Sequence, residues 1–287
     1  MVRNYFPVTL SEALKIKRDD PETVPVAGGT DVMVSKKDAG SYLYLSGLKE
    51  LKQTCVSGDD LVIGAGEAYR ELLEEPLIPE LLKAAMREVA SPAIRNSGTL
   101  AGNICNASPA GDTLPPLYCM DAEVELSSMT GDGQVTARKL AISEFITGVR
   151  KLNKRPEELV TVVVIPGFKK TNGMKMYYEK VGARRSEAIS KLSFAGLCLR
   201  DNESNIISDI RFAFGSVGIT TVRIRDEELK FLSAKDGRYS DMAEEITNDL
   251  DRVLKPIDDQ RSTAAYRKRV SLNILKDFLQ KCSEGSL

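Results

Sequence analysis

The chain has 287 residues, 42% apolar and 28% charged, which is enough to bury a substantial core and long enough for two domains. Lysine plus arginine (40) balances aspartate plus glutamate (41), and the one basic cluster, "YRKR" at 266–269, sits in a patterned helix, so neither nucleic acid nor an anionic membrane is indicated as a partner. There is no histidine, which excludes a serine-histidine-aspartate triad, a histidine-ligated metal and imidazole acid–base chemistry, and leaves a bound cofactor or Asp, Glu, Lys, Tyr and Cys to carry any reaction.

The first twenty residues lack an apolar segment of signal-peptide length, and no later stretch reaches the roughly 18 uncharged apolar residues of a membrane span, so a cytoplasmic location is expected. "TLSEALKIK" places Leu10, Ala13, Leu14 and Ile16 near helical spacing, with Thr9 or Ser11 as cap. "TVPVAGG", "SYLYLSGL" and "DDLVIGAG" read as strands. "PELLKAAMREVAS" reads as a helix opened by Pro79, with Leu81, Leu82, Ala85 and Val89 on one side. "DAEVELSS" alternates as a strand before a turn at "TGDGQ", and the β-branched run "ELVTVVVIPG" reads as a buried strand.

Past "PGFKKTNG" the texture changes, and a domain boundary is expected near 171. Three strands, "MKMYYEKVG", "ISKLSFAGLCLR" and "ISDIRFAFGSV", precede helices that end in "DDQRSTAAYRKRVSLNILKDFLQKC", where Tyr266, Val270, Ile274 and Phe278 form a packing stripe. The five cysteines are scattered without C-x-x-C spacing, which excludes a local zinc or iron–sulfur motif and fits reduced thiols.

Three glycine-containing stretches compete for chemistry. "LVIGAGEAYREL" lacks the third glycine of G-x-G-x-x-G, because Tyr69 stands where glycine is needed, so Gly64 and Gly66 read as turn residues. In "PVAGGTD", residues 25–31, a strand runs into two glycines. Its amides can turn into an anion nest beside a hydroxyl, or the stretch is a plain turn with Thr30 or Asp31 capping the next helical turn. "RNSGTLAGNICNASPAGD", residues 95–112, offers Gly98, Gly102 and Gly111 for close backbone approach and Thr99, Asn103, Asn106, Ser108 and Asp112 as polar groups. A slack surface loop of that length, containing Leu100 and Ile104 and running straight into core, is disfavoured against a segment ordered on a ligand.

"AGGTD", "IRNSGTLAGN", "ASPAGDTLPPL" and "DAEVEL", in that order, resemble the FAD-binding (medium) subunit of the molybdenum hydroxylases, the xanthine dehydrogenase, carbon monoxide dehydrogenase and nicotinate dehydrogenase type. "EELVTVVVIP", "EKVGARRSEAIS" and "DQRSTAAYRKRV" extend the likeness over essentially the whole chain, and the "NICNASPAGDTLPPLY" stretch is most similar to stand-alone flavin subunits of purine or nicotinate hydroxylases. The resemblance implies an α+β chain: a two-subdomain FAD-binding domain of the vanillyl-alcohol-oxidase (PCMH) type over 1–171, with subdomains of about 1–57 and 58–171, then a smaller α+β C-terminal domain over 172–287.

It also implies FAD contacts from Val26, Ala27, Gly28, Gly29, Thr30, Asp31 and Val32, with the pyrophosphate wrapped by Ala27–Thr30. Thr99, Leu100, Ala101, Gly102 and Asn103 would meet the phosphates and ribityl chain, and Asp112 the ribose or adenine-side hydroxyls. Val160 would line the cavity and Lys180 would lie near the isoalloxazine; without the family, Lys180 reads as a surface ion pair. The family usually has a second glycine where this chain has Ala101, so approach there is expected to be less close.

The implied function is an electron relay. A molybdopterin-binding large subunit hydroxylates a substrate, 2Fe-2S clusters of a small subunit pass electrons on, and the flavin delivers them to NAD+ or another acceptor within a hetero-oligomer. The alternatives are a self-contained flavin oxidase, which usually adds a large substrate domain and often attaches its flavin through histidine, and a flavin-less assembly subunit, against which the joint retention of Gly28, Gly29, Thr30, Thr99, Asn103 and Asp112 argues.

Overall fold

The structure, a computed structural model, describes residues 2–35, 40–171, 173–201, 204, 206–234 and 239–287. Packing groups the chain into two compact units: Met1–Ile78, Ala90–Ala107 and Asp121–Lys169 form the first, and Pro79–Val89, Ser108–Met120 and Lys170–Leu287 the second. The second unit thus takes in two excursions from the N-terminal half, which leave no break in composition to be read along the chain.

In the first unit the helix Leu10–Asp19 starts as expected at Thr9, whose hydroxyl accepts from the Glu12 amide (3.2 Å) while the Glu12 carboxylate accepts from the Val8 amide (2.8 Å). A parallel three-stranded sheet has Ser41–Tyr44 at its centre, flanked by Arg3–Tyr5 and Val24–Val26. Ala13 and Leu14 of the helix pack with Leu43, Leu45, Leu48 and Leu51 and, from the neighbouring layer, with Met129 and Leu159. Each fully buried leucine here contributes roughly 2 kcal/mol.

That neighbouring layer is a five-stranded antiparallel sheet ordered Thr54–Ser57, Asp60–Gly64, Leu159–Ile165, Glu123–Met129, Val135–Ala141. Leu159–Ile165 is central because its β-branched run, apolar apart from Thr161, can be buried on both faces. The layer begins at Thr54, which pairs with Ile63, so its first strand lies ahead of the subdomain limit expected at 57/58. Gly66 is a turn residue as read, whereas Gly64 is the last residue of the strand Asp60–Gly64 and pairs with Val162. The Gly66 amide donates to Leu51 O (2.8 Å), and a Cβ on Gly64 would overlap that same carbonyl oxygen.

The second unit is built on the antiparallel sheet Lys175–Val181, Leu192–Arg200, Ile207–Gly215, covered by Arg225–Leu232, Tyr239–Val253 and Ala264–Glu284. Phe194, Phe212, Phe214, Phe231 and Phe278 fill its core, with Phe194 edge-on to both Phe214 (5.0 Å) and Phe278 (5.3 Å). The excursion Glu80–Arg87 buries Leu81, Leu82, Ala85 and Met86, while Val89 lies beyond its end.

The terminal helix corrects the expected stripe. Its buried residues are Arg267, Ser271, Leu275, Phe278, Leu279 and Cys282, and Tyr266 is 43% exposed. A strict four-residue spacing drifts about 40° per step around a helix of 3.6 residues per turn, so Tyr266 and Phe278 cannot share one face. The Arg267 guanidinium takes the inward place by donating to Lys191 O (2.8 Å), Ser216 O (3.2 Å) and Asp259 (2.7 Å).

Candidate functional site

The segment after Val26 leaves the parallel sheet without spending its hydrogen-bond donors. Among the described residues no acceptor takes the amides of Ala27, Gly28, Gly29, Thr30, Asp31 or Val32. Gly29 sits at φ 71°, in the left-handed region, which turns successive amides toward one side. Gly28 lies flat on the next segment: a Cβ there would overlap Ser97 O and stand 3.0 Å from Gly98 Cα. A Cβ on Gly98 would in turn lie 3.5 Å from the Thr30 hydroxyl oxygen. The two glycine-bearing stretches are therefore packed backbone to backbone, and the segment continues into a turn in which the Met33 amide donates to Gly29 O (3.0 Å) and the Ser35 amide to Asp31 O (3.0 Å).

The stretch "RNSGTLAGNICNASPAGD" is not a slack loop; it is ordered largely as helix, which its residue pattern did not announce. After the turn of helix Pro92–Arg95 it forms a second helix, Leu100–Asn106, N-capped by Thr99, whose hydroxyl accepts from the Gly102 amide (3.0 Å). Leu100, Ala101 and Ile104 are buried while Gly102 is exposed, so the helix leaves its backbone open at Gly102. The methyl of Ala101 is buried. Thr99 forms an antiparallel bridge with Ala68, with the Tyr69 amide donating to Gly98 O (2.9 Å), and in the first turn the Ala101 amide has no partner among the described residues, as helix geometry dictates. Asn103 occupies the next position on the helix, half-buried, with its amide bonded to Thr99 O (3.1 Å).

Asp31 plays a part that the residue pattern alone did not show. Its carboxylate accepts from Asn106 Nδ2 (3.2 Å) and Arg150 Nη1 (3.4 Å), and Arg150 also donates to Asn106 Oδ1 (2.8 Å). The side chain is thus held to its neighbours, and what the loop offers a ligand at Asp31 is the amide. Arg150 and Asn106 carry no sequence signal for this, since Arg150 lies 119 positions from Asp31. Val160 is buried in its strand beside the register break between Val160 and Val162, close to where Thr161 O accepts from the Ala65 amide (3.0 Å).

In the second unit Asp112 and Lys180 form one buried ion pair. Lys180 Nζ donates to Asp112 Oδ2 (2.8 Å) and to Glu88 O (2.7 Å), with side chains 5% and 10% exposed for the lysine and aspartate. The Ser190 hydroxyl donates to the other carboxylate oxygen, and Tyr178 OH reaches the Asp112 carbonyl (3.4 Å). Burial pushes the Asp112 carboxyl above the usual range, against the opposing pull of Lys180 and of the Ser190 hydroxyl. The two residues that the resemblance assigns to different parts of an extended dinucleotide are paired with each other at 2.8 Å.

The arrangement fits a dinucleotide with a diphosphate. An anion needs several unspent donors converging without a side chain in the way, and the 27–32 loop with the backbone open at Gly102 supplies both. Among the described residues no helix is long and apolar enough to cross a membrane.

Residues 1–168 match the family described as the FAD binding domain in molybdopterin dehydrogenase, and residues 177–282 match the CO dehydrogenase flavoprotein C-terminal domain. The chain is 30% identical over 229 residues to the xanthine dehydrogenase FAD-binding subunit of Escherichia coli O157:H7, covering 77% of this chain and 75% of that one. It is 29% identical over 270 residues to the glyceraldehyde dehydrogenase medium chain of Sulfolobus acidocaldarius, covering 91% of each. A carbon monoxide dehydrogenase chain from Hydrogenophaga pseudoflava shares the fold, with a TM-score of 0.85 at 21% identity over 96% of this chain and 95% of that chain.

Proposed function

The chain belongs to the family of FAD-binding subunits of molybdopterin dehydrogenases, a flavoprotein component of the oxidoreductases, and from that premise we propose that it is the electron-delivering subunit of a cytoplasmic hetero-oligomer. Its partners in this reading are a molybdopterin-binding large subunit and a 2Fe-2S small subunit, and its electrons go to NAD+ or another acceptor. The observation that carries the reading is the run of unspent amides from Ala27 to Val32, backed onto Ser97 and Gly98. Bound FAD supplies two-electron storage between one-electron carriers and a two-electron acceptor.

The chain's own residues bind and orient. The amides of Ala27–Val32, with the Thr30 hydroxyl, would hold the diphosphate, and the backbone accessible at Gly102 with the half-buried Asn103 would add further polar contacts. Val160 closes an apolar wall. In the second unit, Asp112 and Lys180 form a fixed, internally neutralised polar pair. The division into a FAD-binding domain over 1–171 and a C-terminal domain over 172–287 is part of the same proposal, supported by where the two matched stretches end and begin. The absence of histidine is compatible with this role, because delivering a hydride from a flavin to nicotinamide calls for no imidazole base.

Affinity purification of the chain from its native source, with peptide identification and metal analysis of what accompanies it, tests the assembly. Molybdenum, iron and two further polypeptides co-eluting are expected. A chain that elutes alone and metal-free, yet oxidises an organic substrate itself, would support the self-contained oxidase instead.

A further inference from the structure

We propose that Arg150 is a positioning residue for the anion nest, neutralising Asp31 and holding its carboxylate off the diphosphate locus; the inference rests on the FAD reading of the 27–32 loop. Asp31 is the one carboxylate within the run of unspent amides, and an unopposed negative charge there would repel the ligand that the amides attract. Arg150 meets it at 3.4 Å and, through Asn106 Oδ1 at 2.8 Å, ties it to the end of the helix Leu100–Asn106.

Two features say that this pair is not kept for folding. The side chains are 56% and 49% exposed for Arg150 and Asp31, where ion pairs add little stability. Arg150 also occupies φ 55°, a left-handed conformation that glycine or asparagine would adopt with less strain. Its amide donates to Ala107 O (3.0 Å), the left-handed cap residue of that helix at φ 46°, so the strained turn is docked where the guanidinium spans Asp31 and Asn106. An arginine held there against its backbone preference points to a requirement for the side chain.

The test is a titration of the full chain with FAD at low and high sodium chloride. Arg150→Ala is expected to raise the Kd about fivefold at low salt, and the loss should shrink at high salt as the freed carboxylate is screened. Adding Asp31→Asn to Arg150→Ala should restore affinity to within about twofold of wild type, because the repelling charge is gone. If Arg150 is only a structural tie, the double variant stays as weak as Arg150→Ala and the loss is independent of salt, which overturns the proposal, as does wild-type affinity in Arg150→Ala. Should the alanine variant not fold, Asp31→Asn alone decides: tighter FAD binding supports the role, unchanged or weaker binding refutes it. A wild-type chain that takes up no FAD sinks the underlying reading of the site instead, so the two failures are distinguishable.

Discussion

Replacing Gly28 by valine is expected to abolish FAD retention while leaving a folded chain. A Cβ at this position overlaps the Ser97 carbonyl oxygen and approaches Gly98 Cα at 3.0 Å, and both obstacles are backbone, so no rotamer change relieves them. The loop must lift off the 97–98 segment. Overpacking of this kind costs about 1–3 kcal/mol locally. For the ligand the consequence is larger, since the amides of Ala27–Val32 then no longer converge beside the open backbone at Gly102, and an affinity loss of about a hundredfold corresponds to only about 3 kcal/mol. Gly47→Ala, at a position where a Cβ meets nothing within 4 Å, is the control and should bind as wild type does. Fluorescence titration with FAD, alongside a melting curve of each apo-protein, reads the outcome; wild-type affinity in Gly28→Val would show that the loop is misassigned.

Asp112→Ala is expected to cost the second unit about 3–5 kcal/mol, the range for leaving a buried charge without its partner. Lys180 would keep only Glu88 O as acceptor, and the Ser190 hydroxyl would lose the carboxylate oxygen that it donates to. Urea denaturation should show the midpoint fall with little change in slope. Replacing the pair together, Asp112→Leu with Lys180→Met, should recover most of the stability, because removing both charges also removes their desolvation cost. It should not recover FAD binding, which separates the structural contribution of the pair from its place in the site. A stable Asp112→Ala variant would contradict this pairing.

What could be read from residues alone followed the range of the interaction. The helix starting at Thr9, the β-branched strand Leu159–Ile165 and the strands of the second sheet depend on neighbours along the chain, and their composition announces them. Leu100–Asn106 escapes such a reading because glycine and asparagine are poor helix formers. Its signal is confined to the Thr99 cap and the Leu100–Ile104 spacing, and burial of that face overrides the propensity. The stripe on the terminal helix holds at Val270, Ile274 and Phe278 and fails at Tyr266, where the inward place is taken by Arg267, which is buried against the acceptors Lys191 O, Ser216 O and Asp259 yet looks in sequence like a surface residue. The ordered motifs "AGGTD" and "RNSGTLAGN" mark the proposed site, whereas the contacts of Arg150 with Asp31 and of Ser190 with Asp112 span 119 and 78 positions that no local pattern encodes.

The cradle accounts for why so many small residues precede the apolar excursion Leu114–Cys119: the chain needs bare backbone on one side and a buried anchor immediately after. The most direct test is to purify the wild-type chain, incubate it with FAD, remove free ligand by gel filtration and compare flavin absorbance with protein concentration. Stoichiometric, yellow protein is the expected result. A colourless chain that takes up no added FAD would contradict the central claim.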